Sequence, residues 1–194
     1  MNNKTDAKDK IIKAFLDLIS EKGNAKVTVR EISKRADVNL ASINYHFRTT
    51  QNLFNEVENY FTDKIFQINE IFEDSGLDSK QAILAWSKEL MNLIYDNPGI
   101  LWIISNKIIK KDRSDSFMGK LIQDNKTPLN DLIKDITGIK NIQIQTLKTI
   151  QIISGIIGPL ILYYGIGKEF GINLKDKKMR DSYTETLIES ILKN

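Results

Sequence analysis

Val27-Thr28-Val29-Arg30-Glu31-Ile32-Ser33-Lys34-Arg35-Ala36, then Asp37-Val38-Asn39, then Leu40-Ala41-Ser42-Ile43-Asn44-Tyr45-His46-Phe47 is the stretch that decides the fold. Thr28 with Glu31 three residues on is a capping box, in which each side chain satisfies an orphan amide at a helix start. Val29, Ile32 and Ala36 are the buried face of the short helix that follows. Asp37-Val38-Asn39 is a three-residue turn. Asn39 is an N-cap for a third helix, Leu40 to Phe47, with Val38 placed to staple onto Ile43. That helix buries only Ile43 and Phe47. Leu40, Ser42, Asn44, Tyr45 and His46 are left largely free, so it cannot be a core helix.

Outward from this stretch the periodicity is helical in both directions. Ile11, Ile12, Phe15, Leu16, Leu18 and Ile19 recur at three- and four-residue steps before Gly23, which predicts a helix from Asp6 to Lys22. A fourth helix starts near Thr49 or Thr50 and carries Leu53, Phe54, Val57, Phe61, Ile65, Ile68 and Phe72 up to Ser75-Gly76. Beyond it the helical patterns cover 78–96, 100–111, 114–136, 140–169 and 177–193, with Pro128 placed to kink or split the third. No strand-like alternation of useful length occurs. The expected fold is therefore all-α, with a head at 1–48 and a helical body at 49–194.

Composition narrows the chemistry. The chain has no cysteine and one histidine, which removes disulfides, thiolate zinc sites, cysteine nucleophiles and most histidine-based metal or proton-transfer chemistry. A nucleophile elbow, a metal-ligand spacing and a phosphate loop are all lacking, so no enzyme, metal or cofactor is expected. The polar start from Met1 to Lys10 lacks the apolar core of a secretory signal, and cysteine-free composition suits a cytoplasmic protein. Residues 1–50 hold 10 Lys/Arg against 6 Asp/Glu, and the remainder 18 against 19. The positive excess thus sits in the head, as a segment meeting a polyanion requires.

Two short helices on a tight turn, the second polar and poorly buried, form a helix-turn-helix, whose second helix reaches base edges in the major groove. The wording from Val27 to Phe47 closely resembles the DNA-binding head of the TetR family of regulators, a match covering about residues 8–57. The resemblance implies phosphate contact at Thr28, sugar-phosphate contact at Tyr45 and His46, and base or nearby phosphate contacts from Arg30, Leu40, Ala41, Ser42 and Asn44. Two positions depart from the family. Asp37 stands where a turn glycine is common. Thr50 stands where a phosphate-gripping lysine usually opens the fourth helix.

The same resemblance implies a body that binds a small-molecule inducer and dimerises through its last two helices, so that two heads read a palindromic operator on double-stranded DNA. Inducer binding would change the separation of the heads and release a repressor. Trp86, Met91, Trp102, Phe117 and Tyr163 are the pocket candidates. Ile153, Ile157 and Leu160 with Tyr183, Leu187 and Ile191 are the candidates for the homodimer seam. The apolar run Ile150 to Ile166 has a membrane span as a rival reading, but it holds Ser154, Pro159 and three glycines and is shorter than the ~20 residues a bilayer wants. No membrane partner is expected. A non-transcriptional, architectural DNA-binding protein would use the same head and is the alternative function.

Overall fold

The computed structural model describes residues 2–24, 26–73, 76–110, 128–166 and 171–193, and all regular structure among them is helical. The helices are α1 (Asn2–Lys22), α2 (Val29–Ala36), α3 (Leu40–Phe47), α4 (Thr50–Asn69), α5 (Ser79–Asp96), α6 (Gly99–Lys110), α7 (Pro128–Thr137), α8 (Ile142–Ile166) and α9 (Lys177–Leu192), with a 3-10 turn at Glu70–Glu73 closing α4. The chain divides into two compact units, Met1–Asp63 with Asn97–Phe117, and Lys64–Asp96 with Met118–Asn194. This differs from a division at residue 48: the first part of α4 and all of α6 belong with the head.

In the first unit α1 is the organising helix, packed by α2, α3 and α6. Its Ile11, Ile12, Phe15, Leu16 and Ile19 are buried, which is the expected three- and four-residue stripe. Gly23, at φ +62°, ends the helix and returns its N–H to the Ile19 carbonyl at 2.9 Å. Phe15 meets Phe54 of α4 edge to face at 5.0 Å, and Trp102 of α6 lies against Phe54 at 6.3 Å.

In the second unit α5 is the inner helix, with α7, α8, α9 and the 3-10 turn around it. Trp86 is buried, stacks on Phe72 at 5.8 Å, and donates its indole N–H to Asn69 Oδ1 at 2.8 Å. Arg180 of α9 is also buried. It donates to Asn92 Oδ1 at 2.9 Å and the Leu174 carbonyl at 2.6 Å, and lies over the Tyr95 ring at 4.1 Å, tying the turn before α9 to α5. Pro128 is the first residue of α7. Proline is tolerated there because the first-turn N–H has no intrahelical acceptor anyway. The preceding part of the expected 114–136 helix lies outside the described residues.

Helix α8 is by length and composition apolar enough to cross a bilayer. It nevertheless carries a buried inner face, Ile152, Ile153, Ile156 and Leu160, against its neighbours in the unit. Its buried polar groups are satisfied: Gln145 donates to the Ile139 carbonyl and Thr149 to Asn130 Oδ1, both at 2.7 Å. Pro159 lies within this helix and has no N–H for the carbonyl of Gly155, four residues earlier. The hydroxyl of Tyr183 on α9 fills that gap, donating to Gly155 O at 2.6 Å. Gly155 also lets α9 come close, since a Cβ there would lie 2.5 Å from Leu187 Cδ1.

Tyr183→Phe should therefore cost about 1–2 kcal/mol by stranding that carbonyl. Pro159→Ala supplies the missing N–H, so the tyrosine change should cost markedly less in its background. Urea denaturation of the four-member cycle measures this coupling, and strict additivity would show that the hydroxyl does not serve the proline gap.

Candidate nucleic-acid interface

The start of α2 is built as the spacing predicts. Glu31 donates its amide to Thr28 Oγ1 at 3.3 Å, and Thr28 donates its amide to Glu31 Oε2 at 2.9 Å. The Thr28 amide thus serves Glu31 and is not open to a phosphate. The Thr28 hydroxyl also donates to Glu31 Oε2, at 2.9 Å. The residue is exposed, so contact with phosphate needs that hydroxyl to turn.

Lys22 holds Glu31 from the other side at 2.6 Å. Lys22 first, and then the Thr28 amide and hydroxyl, pull the Glu31 carboxyl from 4.5 down to about 2. A depressed carboxyl stabilises the fold fully above its unfolded value and progressively less as pH falls through its folded one. The capping box should accordingly weaken as pH drops from 4.5 toward 2, and Glu31→Gln should remove that part of the acid transition. Helical circular dichroism against pH for both proteins measures it; coincident acid profiles would contradict the assignment.

The turn that aims α3 is tied at both ends. Asp37 takes the left-handed conformation, φ 53° and ψ 48°, and donates its N–H to the Ser33 carbonyl. Aspartate adopts this region at a modest cost that glycine would avoid, so the departure at this position leaves the turn intact. The Ser33 hydroxyl donates to the Val38 carbonyl at 2.5 Å. Asn39 then caps α3, its Oδ1 accepting from the Ser42 amide at 2.7 Å.

Helix α3 is held from below by two residues only. Ile43 and Phe47 are buried at 3% and 2% exposure, whereas Tyr45 is 66% and Leu40 43% exposed. Ala41 and Asn44 are exposed, and Ser42 and His46 are half-buried. The His46 ring packs between Tyr45 at 5.3 Å and Phe47 at 5.9 Å, so the buried phenylalanine braces the pair of rings at the end of the helix. Arg48 follows at φ 56°, its N–H on the Asn44 carbonyl at 3.1 Å. Thr49 caps α4 by accepting from the Asn52 amide at 3.1 Å, and leaves Thr50 exposed as the first residue of that helix.

The positive charge of the head is partly consumed internally. Arg35 makes a two-pronged pair with Glu21 at 2.8 and 2.7 Å, which lowers the Glu21 carboxyl and raises the guanidinium. Lys22 is held by Glu31 and Lys8 by Glu56 at 2.5 Å. Arg30, Lys34 and Arg48 are exposed and have no side-chain partner among the described residues. Arg30 and Lys34 lie on α2, and Arg48 follows α3. Their pairing state, unlike their spacing, carries no signal in the sequence.

The sites expected in the body fare differently. Trp86 and Met91 are fully buried in the second unit, where Met91 Sδ accepts from Thr184 Oγ1 at 3.3 Å, and Tyr163 lies half-buried beside Tyr95 at 6.3 Å. Trp102 belongs to the first unit, and Phe117 lies outside the described residues. Ile153 and Leu160 are corrected as seam residues: at 2% and 0% exposure they face the core of their own unit. Ile157, Tyr183, Leu187 and Ile191 are half-buried. The exposed large apolar residues of these two helices are instead Ile142, Ile144, Leu147, Ile150, Ile161, Leu162 and Tyr164 of α8, and Met179 of α9. Among the described residues no group of His, Cys, Asp and Glu could hold a metal ion.

Comparison with known proteins agrees with this geometry. Residues 11–57 match the family model for bacterial regulatory proteins, tetR family. A 45-residue segment is 49% identical to the "Probable HTH-type transcriptional regulator YttP" of Bacillus subtilis (strain 168). That match covers 23% of this chain and 22% of the relative, so it concerns the head alone. The fold as a whole is similar to a solved TetR transcriptional regulator from Legionella pneumophila, with a TM-score of 0.71 and 20% identity over 94% of this chain and 96% of that one. A transcriptional regulator from Rhodococcus sp. Rha1 is similar at a TM-score of 0.70 and 18% identity, over 95% of both chains.

Proposed function

We propose that this chain is a regulator of the TetR type, as the match of its head over residues 11–57 and the similarity of its fold support, and that it regulates transcription bound as a homodimer to a palindromic operator. The observation that carries the reading is α3: eight residues, two of them anchored in the core, with an outward face of hydrogen-bonding and small apolar groups. A helix of that kind fits a major groove about 12 Å wide. One head reads one half-site, so a twofold pair reads a palindrome with half-sites about one helical turn apart or a multiple of it.

The pairing surface is the outward stripe of α8, Leu147, Ile150, Ile161 and Leu162, with Met179 of α9. Exposed apolar groups recurring along one helix call for a partner. The protein is a repressor that leaves its operator when an uncharged or amphipathic small molecule binds the body. Ser87 supports an effector with a hydrogen-bonding group: its hydroxyl is fully buried on α5, between Trp86 and Met91 in sequence, with no partner among the described residues. The chain acts on chromosomal DNA in the cytoplasm and catalyses no reaction.

Chromatin immunoprecipitation tests the regulatory role. A few promoter sites are expected, and many dispersed sites would favour the architectural alternative. The neutral Thr50 also has a measurable consequence. Thr50→Lys adds one phosphate-reaching charge per subunit, so the slope of log K against log salt should steepen by about 2 per dimer, with binding tightened most at low salt. An unchanged slope would place residue 50 away from phosphate.

A further inference from the structure

We propose that α3 selects an A·T base pair in each half-site, with Asn44 reading the adenine and Leu40 and Ala41 meeting the methyl groups of neighbouring thymines. This deepens the operator-binding reading and rests on it. From Leu40 to Phe47 the helix has no arginine or lysine, and so no side chain with the donor fork or point charge that grips guanine O6 and N7. It has no carboxylate to accept from the cytosine amine either.

What the outward face does present is ordered. Leu40 and Asn44 are four residues apart and Ala41 and Asn44 three apart, so the three share one face of the helix. Leu40 is 43% exposed. Asn44 is exposed, and its carboxamide has no partner among the described residues. Of the other hydrogen-bonding side chains of the helix, the exposed Tyr45 is the one read as meeting the sugar-phosphate backbone, and Ser42 and His46 are half-buried. The Ser42 amide is held by Asn39. His46 rests against Phe47.

A single carboxamide flanked on the same face by two aliphatic side chains is complementary to one kind of base-pair edge. The amide oxygen accepts from adenine N6 while the amide nitrogen donates to adenine N7. The aliphatic groups, one turn toward the N-terminus, match the C5-methyl that thymine alone carries in the major groove. The cations of the head lie elsewhere. Arg30 and Lys34 are on α2 and Arg48 follows α3, so none of them shares the face of α3 that carries Asn44.

The test selects duplexes from a random pool with the full-length protein, then measures affinity on the recovered site and on its single-pair variants, for wild type and Asn44→Ala. The recovered half-sites should share an A·T pair whose change to G·C weakens wild-type binding about 10–100-fold. In Asn44→Ala that penalty should shrink to a few-fold or less, with affinity for an unrelated duplex and its salt slope unchanged. Replacing the adjoining thymines by deoxyuridine, which removes only the methyl, should weaken wild type several-fold and leave Leu40→Ala indifferent. Half-sites recovered with G·C at the position where Asn44→Ala loses discrimination would overturn the inference alone. A protein that enriches no duplex overturns the operator-binding reading and the inference with it.

Discussion

Tyr45→Ala is expected to abolish operator binding while leaving the helical content and oligomeric state of the protein unchanged. Tyr45 is 66% exposed, and its ring is set edge to face against His46, which in turn rests on the buried Phe47. Its removal therefore leaves no cavity in the core, and the loss falls on what the side chain reaches. A hydrogen bond to a charged phosphate contributes about 1.5–3 kcal/mol, and a twofold complex loses it twice. That corresponds to about 100-fold weaker binding at the lower limit. A gel-shift titration beside circular dichroism checks both halves of the expectation. Normal affinity in Tyr45→Ala would mean that the recognition helix is oriented differently; lost helicity would mean that Tyr45 is structural.

Gly99→Ala is expected to destabilise the first unit by about 3 kcal/mol, at the upper end of what overpacking costs. Gly99 opens α6, and a Cβ placed on it would lie 2.4 Å from the backbone oxygen of Leu16 in α1. A side chain in the way could rotate aside, but a carbonyl inside a helix cannot. The two helices must separate, and α1 is also the helix against which α2 and α3 pack. Chemical denaturation followed by tryptophan fluorescence reports the change through Trp102 of α6, and operator affinity should fall in parallel. An unaltered denaturation midpoint would show that α6 does not approach α1 so closely.

The parts of the molecule that were legible in its sequence are those set by local chemistry. The Thr28–Glu31 capping box, the Asn39 cap and the pair Ile43 and Phe47 each follow from residue types at fixed short spacing, and α2 and α3 lie at the expected residues. The left-handed Asp37 was legible through the resemblance, as the position where a turn glycine is common. Long-range features were not readable. Helix α8 is apolar on most sides, so periodicity cannot say which isoleucines face inward, and Ile153 and Leu160 were assigned to the wrong face for that reason. The bond from Tyr183 to the carbonyl stranded by Pro159 joins residues 28 apart, and no local pattern announces it. The same holds for Gly99, whose role depends on α1 eighty residues earlier. In the head, the charge total was legible but not the pairing that withdraws Lys22 and Arg35 from it.

The claim on which the function depends is that the outward face of α3 makes sequence-specific contact with duplex DNA. Footprinting of the full-length protein on the DNA upstream of its own coding sequence tests it most directly. The expected result is protection of an inverted repeat, lost together at both half-sites in Tyr45→Ala. A wild-type protein that protects no discrete site would contradict it, as would a footprint that survives the loss of Tyr45 unchanged.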